Sequence, residues 1–364
     1  MKIKNISYHT NISINKICIN SIMIFKNNML ELPQSILMVF DKIKFFDITN
    51  RDGELEIDDV IIKYLYMTEG SEGKIYDITF TYQNITYNKL VVKITKFHQT
   101  EYNILKFCSD SVKKGSVSNF LKLYAHKCIA SKCVYLMEKA DDSLENWFKY
   151  PQSTSAWKSF MIQILFALDF LSNNNICHGD LKPKNILYTK YDKEIKVKYK
   201  SYIFSTDIIF YIVDFGSSES TILGKDRLTD IEINLCTQNH TDFYYIGGIP
   251  NKLKMKYLTR WYSLDSLISY IKSQNDKNID SYVNNKKNSL NNINIPKHHK
   301  KANLYRAVAY YALEHYDIDL HINKSNDIKV QLPPKEIEKL FINVFSSKDK
   351  IDTILTTHFS NNLH

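Results

Sequence analysis

Glycine and proline are scarce in this chain, whose 364 residues include 9 glycines and 7 prolines. Asparagine, isoleucine, lysine and tyrosine are abundant instead, and their codons are rich in A and T. We interpret this bias as a property of the genome, typical of some large DNA viruses and some parasites. It therefore says nothing about chemistry.

Long apolar runs and paired cysteines are also missing. No uncharged apolar run reaches the roughly 18 residues needed to span a bilayer. The N-terminal stretch is interrupted by polar residues and has no small-residue cleavage site, so we do not expect a signal peptide. The six cysteines are scattered and form no Cys-x-x-Cys pair. A reduced, intracellular and cytoplasmic protein therefore fits better than a zinc site or a disulfide scaffold. If the genome is viral, the location would be the host cytoplasm.

Charge and apolar content set the remaining limits. The formal net charge is +9, which favours anionic partners such as nucleotides, nucleic acid or acidic proteins without choosing among them. A solvated basic face explains the excess at least as well. Hydrophobic residues make up 44% of the chain, enough for a sizeable core in one two-lobed domain or two modest domains.

Strand-like segments precede helix-like segments, an order typical of an α+β protein. Three stretches between residues 63 and 95 alternate or run apolar, and a fourth strand is predicted at Cys133–Met137. Apolar residues recur at helical spacing between Trp157 and Leu171, which predicts an amphipathic helix. These patterns divide the chain into an N-terminal extension (1–62), a β-rich lobe (about 63–138) and a larger helical lobe (about 139–364).

Residues 272–303 are polar, low in complexity and rich in Asn, Lys and Ser. Because they lack apolar periodicity, we predict a disordered or mobile insertion that can be removed without loss of the fold. The basic run Lys297–Lys301 within it suits contact with nucleic acid or an acidic partner, but a solvated loop is the simpler interpretation.

Two short segments contain the residue types that phosphoryl transfer needs. Their sequences are CHGDLKPKNIL from Cys177 and YIVDFG from Tyr211. The reaction needs a carboxylate to orient the attacking hydroxyl and oxygen ligands to hold Mg²⁺ against the phosphates. Asp180 is the candidate base, and Asn185 and Asp214 are the candidate Mg²⁺ ligands. Lys182 would offset charge that develops on the γ-phosphate.

In order and spacing, these segments resemble the catalytic loop and the metal-binding loop of protein kinases. The resemblance implies a bilobal fold with a small β-rich lobe, a larger helical lobe, and ATP and Mg²⁺ as cofactors. It covers about residues 63–271 and is weak beyond them.

The stretch from Met67 to Ile75 resembles the glycine-rich phosphate loop of that family. Gly70 and Gly73 occupy the second and third glycine positions, and Thr68 replaces the first. Glycine at such positions lets backbone N–H groups approach phosphate closely. Without the motifs downstream, a simple hairpin turn would be the better interpretation.

The resemblance also assigns nucleotide-binding roles further along. Lys93, in the apolar strand Val91–Ile94, corresponds to the lysine that binds the α- and β-phosphates. Glu101 is the candidate for the helix glutamate that pairs with this lysine. Their separation of eight residues is short for the family, so an ordinary surface acid is the alternative. The backbone of Glu138 and Ala140 corresponds to the hinge that binds adenine.

Other positions depart from the common kinase pattern. Gly179 replaces the arginine that in many kinases receives an activation-loop phosphate, which implies activity without such phosphorylation. The same His-Gly-Asp occurs in casein-kinase-1-like and vaccinia-related kinases, including poxviral members, and the segments around Thr241 and Thr259 loosely resemble that branch. Ser263 falls where the family has a buried helix aspartate, and no clear Ala-Pro-Glu motif is present.

Three functions remain open at this point: a Ser/Thr protein kinase that transfers the γ-phosphate of Mg·ATP to protein hydroxyls, a small-molecule phosphotransferase, and a pseudokinase. Lys182 resembles the lysine of Ser/Thr protein kinases, whereas phosphotransferases of the aminoglycoside or choline kinase kind lack it. The replaced first glycine and the short spacing to Glu101 would suit a pseudokinase used as a binding module. A scaffold, however, has no physical need for all four of Lys93, Asp180, Asn185 and Asp214. We expect a monomer that binds ATP and protein substrates and does not bind membranes; nucleic acid is a possible partner without support from the motifs.

Overall fold

The computed structural model describes residues 31–44, 52–69, 73–129, 131–224, 241–261, 263–316, 332–347 and 349–363. Within these ranges an antiparallel sheet comes first and a mainly helical region follows, which confirms the predicted α+β bilobal architecture. No helix in the described ranges is both long and apolar enough to cross a membrane.

The first lobe is a six-stranded antiparallel sheet with the order β1-β2-β3-β4-β6-β5. Its strands are β1 (Gly53–Ile57), β2 (Val60–Glu69), β3 (Gly73–Tyr82), β4 (Ile85–Lys96), β5 (Leu123–Ile129) and β6 (Lys132–Glu138). The predicted strands are therefore present. The sheet begins before residue 63, so β1 and the start of β2 lie inside the stretch predicted as an extension.

Two helices cover opposite faces of this sheet; they are α1 (Gln34–Lys42) and α2 (Gln99–Lys113). Val134 and Leu136 of β6 belong to the apolar cluster that includes α1. Cys133 and Tyr135 point the other way, because side chains alternate along a strand, and they belong to the cluster of α2. The second helix thus lies on the cleft side of the sheet, where it can present Glu101.

The second lobe is built around α4, a 20-residue helix that is buried on all sides over most of its length, and not on one face only as an amphipathic helix would be. Its residues from Ser159 to Leu171 are all buried, as expected for a helix at the centre of a core. The Ser153 hydroxyl accepts a hydrogen bond from the Ala156 N–H and caps its first turn. The helices of this lobe are α3 (Leu144–Trp147), α4 (Thr154–Asn173), α5 (Thr241–Gly247), α6 (Ile249–Trp261), α7 (Leu264–Ser273), α8 (Ile279–Asn291), α9 (Lys297–His315), α10 (Lys335–Ser346) and α11 (Ile351–Phe359).

A long hairpin connects the two segments predicted to carry the chemistry. The remaining strands are β7 (Asp142–Ser143), β8 (Ile176–Cys177), β9 (Ile186–Tyr199), β10 (Tyr202–Ile212) and β11 (Glu219–Ser220). At the base of the hairpin Ile186 of β9 pairs with Ile212 of β10. The Val213 N–H then donates to the Asn185 carbonyl at 3.0 Å. The hairpin therefore brings together two segments that are about 30 residues apart in the chain.

The prediction of a disordered insertion at residues 272–303 is wrong. This segment contains all of α8 and the first turns of α9. Ile279 and Val283 of α8 are buried in a cluster with Leu304 and Val308 of α9. The apolar side of α8 is narrow and is flanked by many Asn and Lys residues. Hydrophobic periodicity in the sequence therefore did not reveal the helix. The basic run Lys297–Lys301 is accordingly helical and not a loop.

The expectation that all cysteines are reduced is also wrong, because Cys128 and Cys133 form a disulfide. The two residues face each other directly in the β5–β6 hairpin, with their Cα atoms 4.1 Å apart. Their pairing depends on strand register, which the spacing of cysteines did not reveal. Cys108 is free and buried, and Cys18 and Cys236 lie outside the described residues.

Candidate active site

A helix aspartate holds the backbone of the loop that contains Asp180. The N–H groups of His178 and Gly179 donate to the two carboxylate oxygens of Asp242, at 2.7 and 3.1 Å. Asp242 lies in the first turn of α5 and is 8% exposed. Hydrogen bonds to an ionised carboxylate are stronger than neutral ones, so this contact fixes the loop firmly.

This finding corrects the expectation for the buried helix aspartate. The structure has a buried helix aspartate at position 242, whereas the sequence pattern led us to expect it at position 263. Ser263 instead begins α7, where its hydroxyl accepts a hydrogen bond from the Ser266 N–H at 3.1 Å. Because the chain has no clear Ala-Pro-Glu motif, the position of the buried aspartate could not be found by its spacing from that motif. An aspartate at the start of a helix, as in Thr241-Asp242, was the available signal.

The His178 side chain joins the loop to the segment around Asp214. Its Nε2 lies 3.0 Å from the Val213 carbonyl. Its ring packs against Phe215, with 5.3 Å between the centroids. Phe215 is 2% exposed and belongs to the same apolar core as Leu105 of α2. The two candidate catalytic segments are therefore joined by packing as well as by hydrogen bonds.

Asp180 is surrounded by the two other residues that its motif predicted. The Lys182 ammonium donates to Oδ2 of Asp180. The Asn185 amide donates to the Asp180 carbonyl at 2.9 Å and to Oδ2 at 3.2 Å. The Asp180 side chain is still 40% exposed, so its carboxylate is positioned yet accessible to a hydroxyl group from outside.

Lys93 pairs with two carboxylates across the cleft. Its Nζ lies 2.8 Å from Oε1 of Glu101 and 3.1 Å from Oδ1 of Asp214. The short separation between Lys93 and Glu101 thus still permits the ion pair, and the surface alternative for Glu101 is excluded because its side chain is only 3% exposed.

This arrangement stabilises the charged forms of Lys93 and Asp214. Burial lowers the pKa of Lys93, but the carboxylates of Glu101 and Asp214 raise it by more, so the pKa lies above its ordinary value. Burial raises the pKa of Asp214, and the Lys93 ammonium outweighs it, so that pKa is lowered. The Lys93–Asp214 contribution is therefore complete at neutral pH. It weakens only as pH falls through the depressed pKa of Asp214 or rises through the elevated pKa of Lys93.

The backbone at Asp214 adopts a left-handed conformation, with φ 69° and ψ 73°. Non-glycine residues rarely occupy this region, and such outliers persist where surrounding structure holds them. Here β10 ends immediately before Asp214 and the buried Phe215 follows it. The turn directs the Asp214 carboxylate towards Lys93.

These residues border a cleft of about 520 Å³ between the sheet and the helical lobe. Ten predicted residues line it: Met67, Thr68, Gly73, Ile75, Lys93, Glu101, Glu138, Ala140, Asn185 and Asp214. Asp180 and Lys182 lie beside it, in contact through Asn185. Gly70 lies outside the described residues.

Sequence reasoning missed the apolar walls and part of the rim. Val91, Leu105, Leu121, Leu187 and Ile212 form much of the apolar lining. The rim also includes Lys139, Asp141, Asp142, Ser143 and Lys184. Apolar residues in strands rarely reveal whether they face a core or a ligand cleft, so only the structure identifies them.

The segment predicted as the hinge has one backbone donor to spare. The Glu138 N–H donates to the Lys122 carbonyl at 2.9 Å, and the Lys139 N–H donates to the Lys89 carbonyl at 3.0 Å. The N–H of Ala140 has no acceptor in the described part of the chain, and Ala140 borders the cleft. A flat heterocycle with an acceptor nitrogen suits such a donor.

Gly179 is required by the geometry of the loop. Its φ is +77°, and a Cβ there would lie 2.8 Å from the Ser217 carbonyl oxygen. Any larger residue would be strained and would crowd the segment after Asp214. The loop is aligned through Asp242 instead of through a side chain at position 179.

Comparison with known proteins agrees with this geometry. The protein kinase domain family model matches residues 66–262. The chain is 27% identical over 190 residues to the dual specificity protein kinase YAK1 of Saccharomyces cerevisiae, a match that covers 48% of this chain and 22% of YAK1. It is 27% identical over 160 residues to the probable serine/threonine-protein kinase fhkB of Dictyostelium discoideum, over 44% of this chain and 12% of fhkB.

The match thus spans less than a quarter of the length of each of these two relatives. The family match covers more than half of the chain and includes both candidate catalytic segments. The contacts among Lys93, Glu101 and Asp214, and those among Asp180, Lys182 and Asn185, fall within the matched residues. The chain therefore belongs to the protein kinase family.

Proposed function

We propose that this protein is a Ser/Thr kinase that transfers the γ-phosphate of Mg·ATP to hydroxyl groups of proteins. The observation that carries the proposal is the pair of contacts from Lys93 to Glu101 and Asp214 in a cleft that also borders Asn185. A binding module has no physical need for this arrangement, since buried charges are costly to hold.

The chemistry of the cleft fits ATP and Mg²⁺. Apolar walls and the free Ala140 N–H suit adenine. Lys93 would bind the α- and β-phosphates, and Asn185 and Asp214 offer the amide and carboxylate oxygens that Mg²⁺ prefers. When bound, the metal would neutralise charge on the phosphates. Asp180 would orient the acceptor hydroxyl, and Lys182 would stabilise charge on the transferred group.

Protein hydroxyls are favoured as acceptors by the position of Lys182 against Asp180. Small-molecule phosphotransferases that share the fold lack a lysine at this place. Serine or threonine specificity is further supported by the name of fhkB, a probable serine/threonine-protein kinase, whereas YAK1 is named as dual specificity. Membership of the casein-kinase-1-like and vaccinia-related branch remains a prediction, and so does a viral origin. The intracellular location and the monomeric state are predictions as well.

We further propose that activity does not require phosphorylation of the segment after Asp214. Gly179 provides no side chain to receive a phosphate, and Asp242 already holds the N–H groups of residues 178 and 179. The Lys93–Glu101 ion pair also forms without a phosphate group on the chain. Contacts within the fold would thus align the site without phosphorylation.

The test is phosphorylation of casein by bacterially produced, phosphatase-treated protein with radiolabelled ATP and Mg²⁺. We expect label on serine or threonine. We expect Asp180→Asn to lower turnover by about 10²- to 10⁴-fold with ATP affinity nearly unchanged, because the base contacts the acceptor and not the nucleotide. Asp192→Asn, an exposed acid on β9, is the matched control.

The possible results separate the alternatives. Label on tyrosine alone would overturn the residue specificity. Label only on an aminoglycoside or choline would overturn the protein acceptor but not the family. ATP affinity independent of Mg²⁺, with no transfer at all, would show a pseudokinase.

A further inference from the structure

The helical hairpin α8–α9 contains a long stretch in which all charges have one sign. Its acidic residues, Asp280 and Glu314, lie near its two ends. From Ser281 to Leu313 the chain contains no aspartate or glutamate. Six permanent cations lie in these 33 residues: Lys286, Lys287, Lys297, Lys300, Lys301 and Arg306. They equal two thirds of the net charge of +9 that the whole chain carries. The positive excess of this protein is thus concentrated in about a tenth of its length.

These cations face solvent and have no acidic partners. Lys300 is half-buried and the other five are exposed. In the described part of the chain, no carboxylate lies within ion-pair distance of any of them. By contrast, Lys272, just before the hairpin, pairs with Asp280 at 2.8 Å. The neighbouring His298 and His299 are also exposed.

The hairpin is an ordered platform and not a loose tail. Its apolar side contributes Ile279, Val283, Leu304 and Val308 to one buried cluster. Across the two helices, the Tyr282 hydroxyl donates to the Ala307 carbonyl at 3.2 Å. The Lys300 ammonium donates to the Asn291 carbonyl at 3.2 Å and ties the turn to α9. The two helices that carry the exposed cations are therefore held in a fixed relative position.

The basic residues also occupy the unfavourable end of α9. Lys297, Lys300 and Lys301 lie in its first turns, where no acidic residue is present. The helix dipole makes a cation at this end unfavourable, most of all at low salt. Local rules are broken in this way mainly where function requires it, and a bound anion would remove the penalty.

We propose that the cationic surface of α8–α9 binds the phosphate backbone of nucleic acid. Charges of one sign spread over two helices match a polymer with a phosphate at every nucleotide, and release of its counterions would drive binding. The half-exposed ring of Tyr310 lies one turn beyond Arg306 on α9, where it can stack on an unpaired base. Neutral donors are abundant too, with seven asparagines between residues 284 and 303.

A lipid surface fits the hairpin less well. Binding in a membrane interface needs a continuous apolar face beside the basic one. Among the described residues of α8, the turn and α9, the exposed large apolar side chains are Ile293 and Tyr310. Ile293 lies in the turn before α9, whereas Tyr310 lies in the second half of that helix. The apolar side of both helices is used in the buried cluster. Phosphodiesters of a nucleic acid are therefore the better match.

The test is fluorescence anisotropy of the full chain with labelled 20-nucleotide DNA and RNA strands, at several salt concentrations. The variant Lys297→Gln, Lys300→Gln, Lys301→Gln and Arg306→Gln removes four charges. The control Lys190→Gln, Lys193→Gln, Lys196→Gln and Lys198→Gln removes four exposed charges from β9. We expect the hairpin variant to lose affinity on the order of 100-fold. Its plot of log affinity against log salt should be shallower by about 3, since each single-strand phosphate contact adds about 0.7.

Three results would overturn the proposal: no binding of either strand by the wild type, unchanged affinity in the hairpin variant, or an equal loss in the β9 control. Binding to phosphatidylserine vesicles but not to the strands would also overturn it, in favour of lipid. If the fourfold variant melts early, Lys286→Gln with Lys287→Gln replaces it, with an expected slope change of about half the size. Casein phosphorylation is measured on the same samples and should not change, so this proposal and the catalytic one fail separately.

Discussion

The catalytic cleft and the α8–α9 hairpin use lysine in opposite ways. In the cleft, Lys93 is 13% exposed and lies between two carboxylates. In the hairpin, cations such as Lys297 and Arg306 face water with no acidic neighbour in the described chain. A buried charge is tolerated only when tertiary neighbours pair with it. An exposed charge is solvated by water and needs no ion-pair partner, so it remains available to bind another molecule.

Both regions depart from a local rule at the point where we infer a ligand. Asp214 has a left-handed backbone that few non-glycine residues adopt. Lys297 and Lys300 lie at the helix end that disfavours cations. In the cleft the departure is stabilised from within the fold, by Lys93 and by the core around Phe215. In the hairpin no carboxylate among the described residues pairs with these cations, and a bound anion would stabilise them.

The largest expected effect tests the buried pairing. Lys93→Met leaves the Glu101 carboxylate, which is 3% exposed, without its cation. We expect the free energy of unfolding to fall by about 3–5 kcal/mol and turnover to fall by about 10²- to 10³-fold. Urea denaturation and casein phosphorylation measure the two effects. Adding Glu101→Gln should restore much of the stability but none of the turnover; a single variant as stable as the wild type would contradict the pairing.

The next effect tests whether the hairpin is packed. Ile279 is 1% exposed in the cluster of α8 and α9, so Ile279→Ala should cost about 2–5 kcal/mol of unfolding free energy. The control Ile293→Ala, at a side chain that is 50% exposed, should cost less than about 0.5 kcal/mol. Urea midpoints of the two variants give the comparison. Equal midpoints would contradict the packing of α8 against α9 and would favour the prediction that residues 272–303 can be removed.

A smaller effect is expected at the helix aspartate behind the catalytic loop. Asp242→Asn keeps the shape but offers one acceptor to two N–H groups, those of His178 and Gly179. We expect a loss of about 1–3 kcal/mol in stability and on the order of a tenfold lower kcat. The KM for ATP should change little, because the contact holds the loop and not the nucleotide. Asp265→Asn, an exposed acid in the first turn of α7, serves as the control and should change neither quantity.

The smallest effect tests the unfavourable helix end. Lys297→Glu replaces a cation with an anion in the first turn of α9, so it should raise the unfolding free energy by about 0.5–1 kcal/mol at low salt. Arg306→Glu makes the same charge change near the middle of that helix and should not share the gain. Thermal melts at low and high salt measure both, and the gain should shrink as salt screens it. Identical shifts in the two variants would exclude a dipole effect.

The candidate catalytic residues were predictable because they are encoded in short, contiguous patterns. Asp180, Lys182 and Asn185 lie within six residues of one another, and their mutual contacts follow from one loop. Strands and the central helix were also predictable, since their apolar residues alternate or recur at a fixed period. The Lys93–Glu101 pair was ambiguous, because spacing does not determine the direction in which a helix residue faces.

Other features depend on contacts between distant parts of the chain. The Asp242 carboxylate meets the His178 N–H over a separation of 64 residues, for which no local pattern exists. The Cys128–Cys133 disulfide depends on the register of β5 and β6. The α8 helix reveals its apolar side only when Ile279 and Val283 are seen against α9.

By itself, the sequence determined which chemical groups this member of the protein kinase family possesses and the order in which they come. Residue type and short-range spacing are enough for that, because loops and amphipathic elements are local. The tertiary structure alone decided which charges are paired. Lys93 receives two carboxylates and the candidate catalytic loop receives Asp242, whereas the six cations of α8–α9 receive no carboxylate from the described residues. Electrostatic energy depends on distance and burial, and neither exists until the chain has folded.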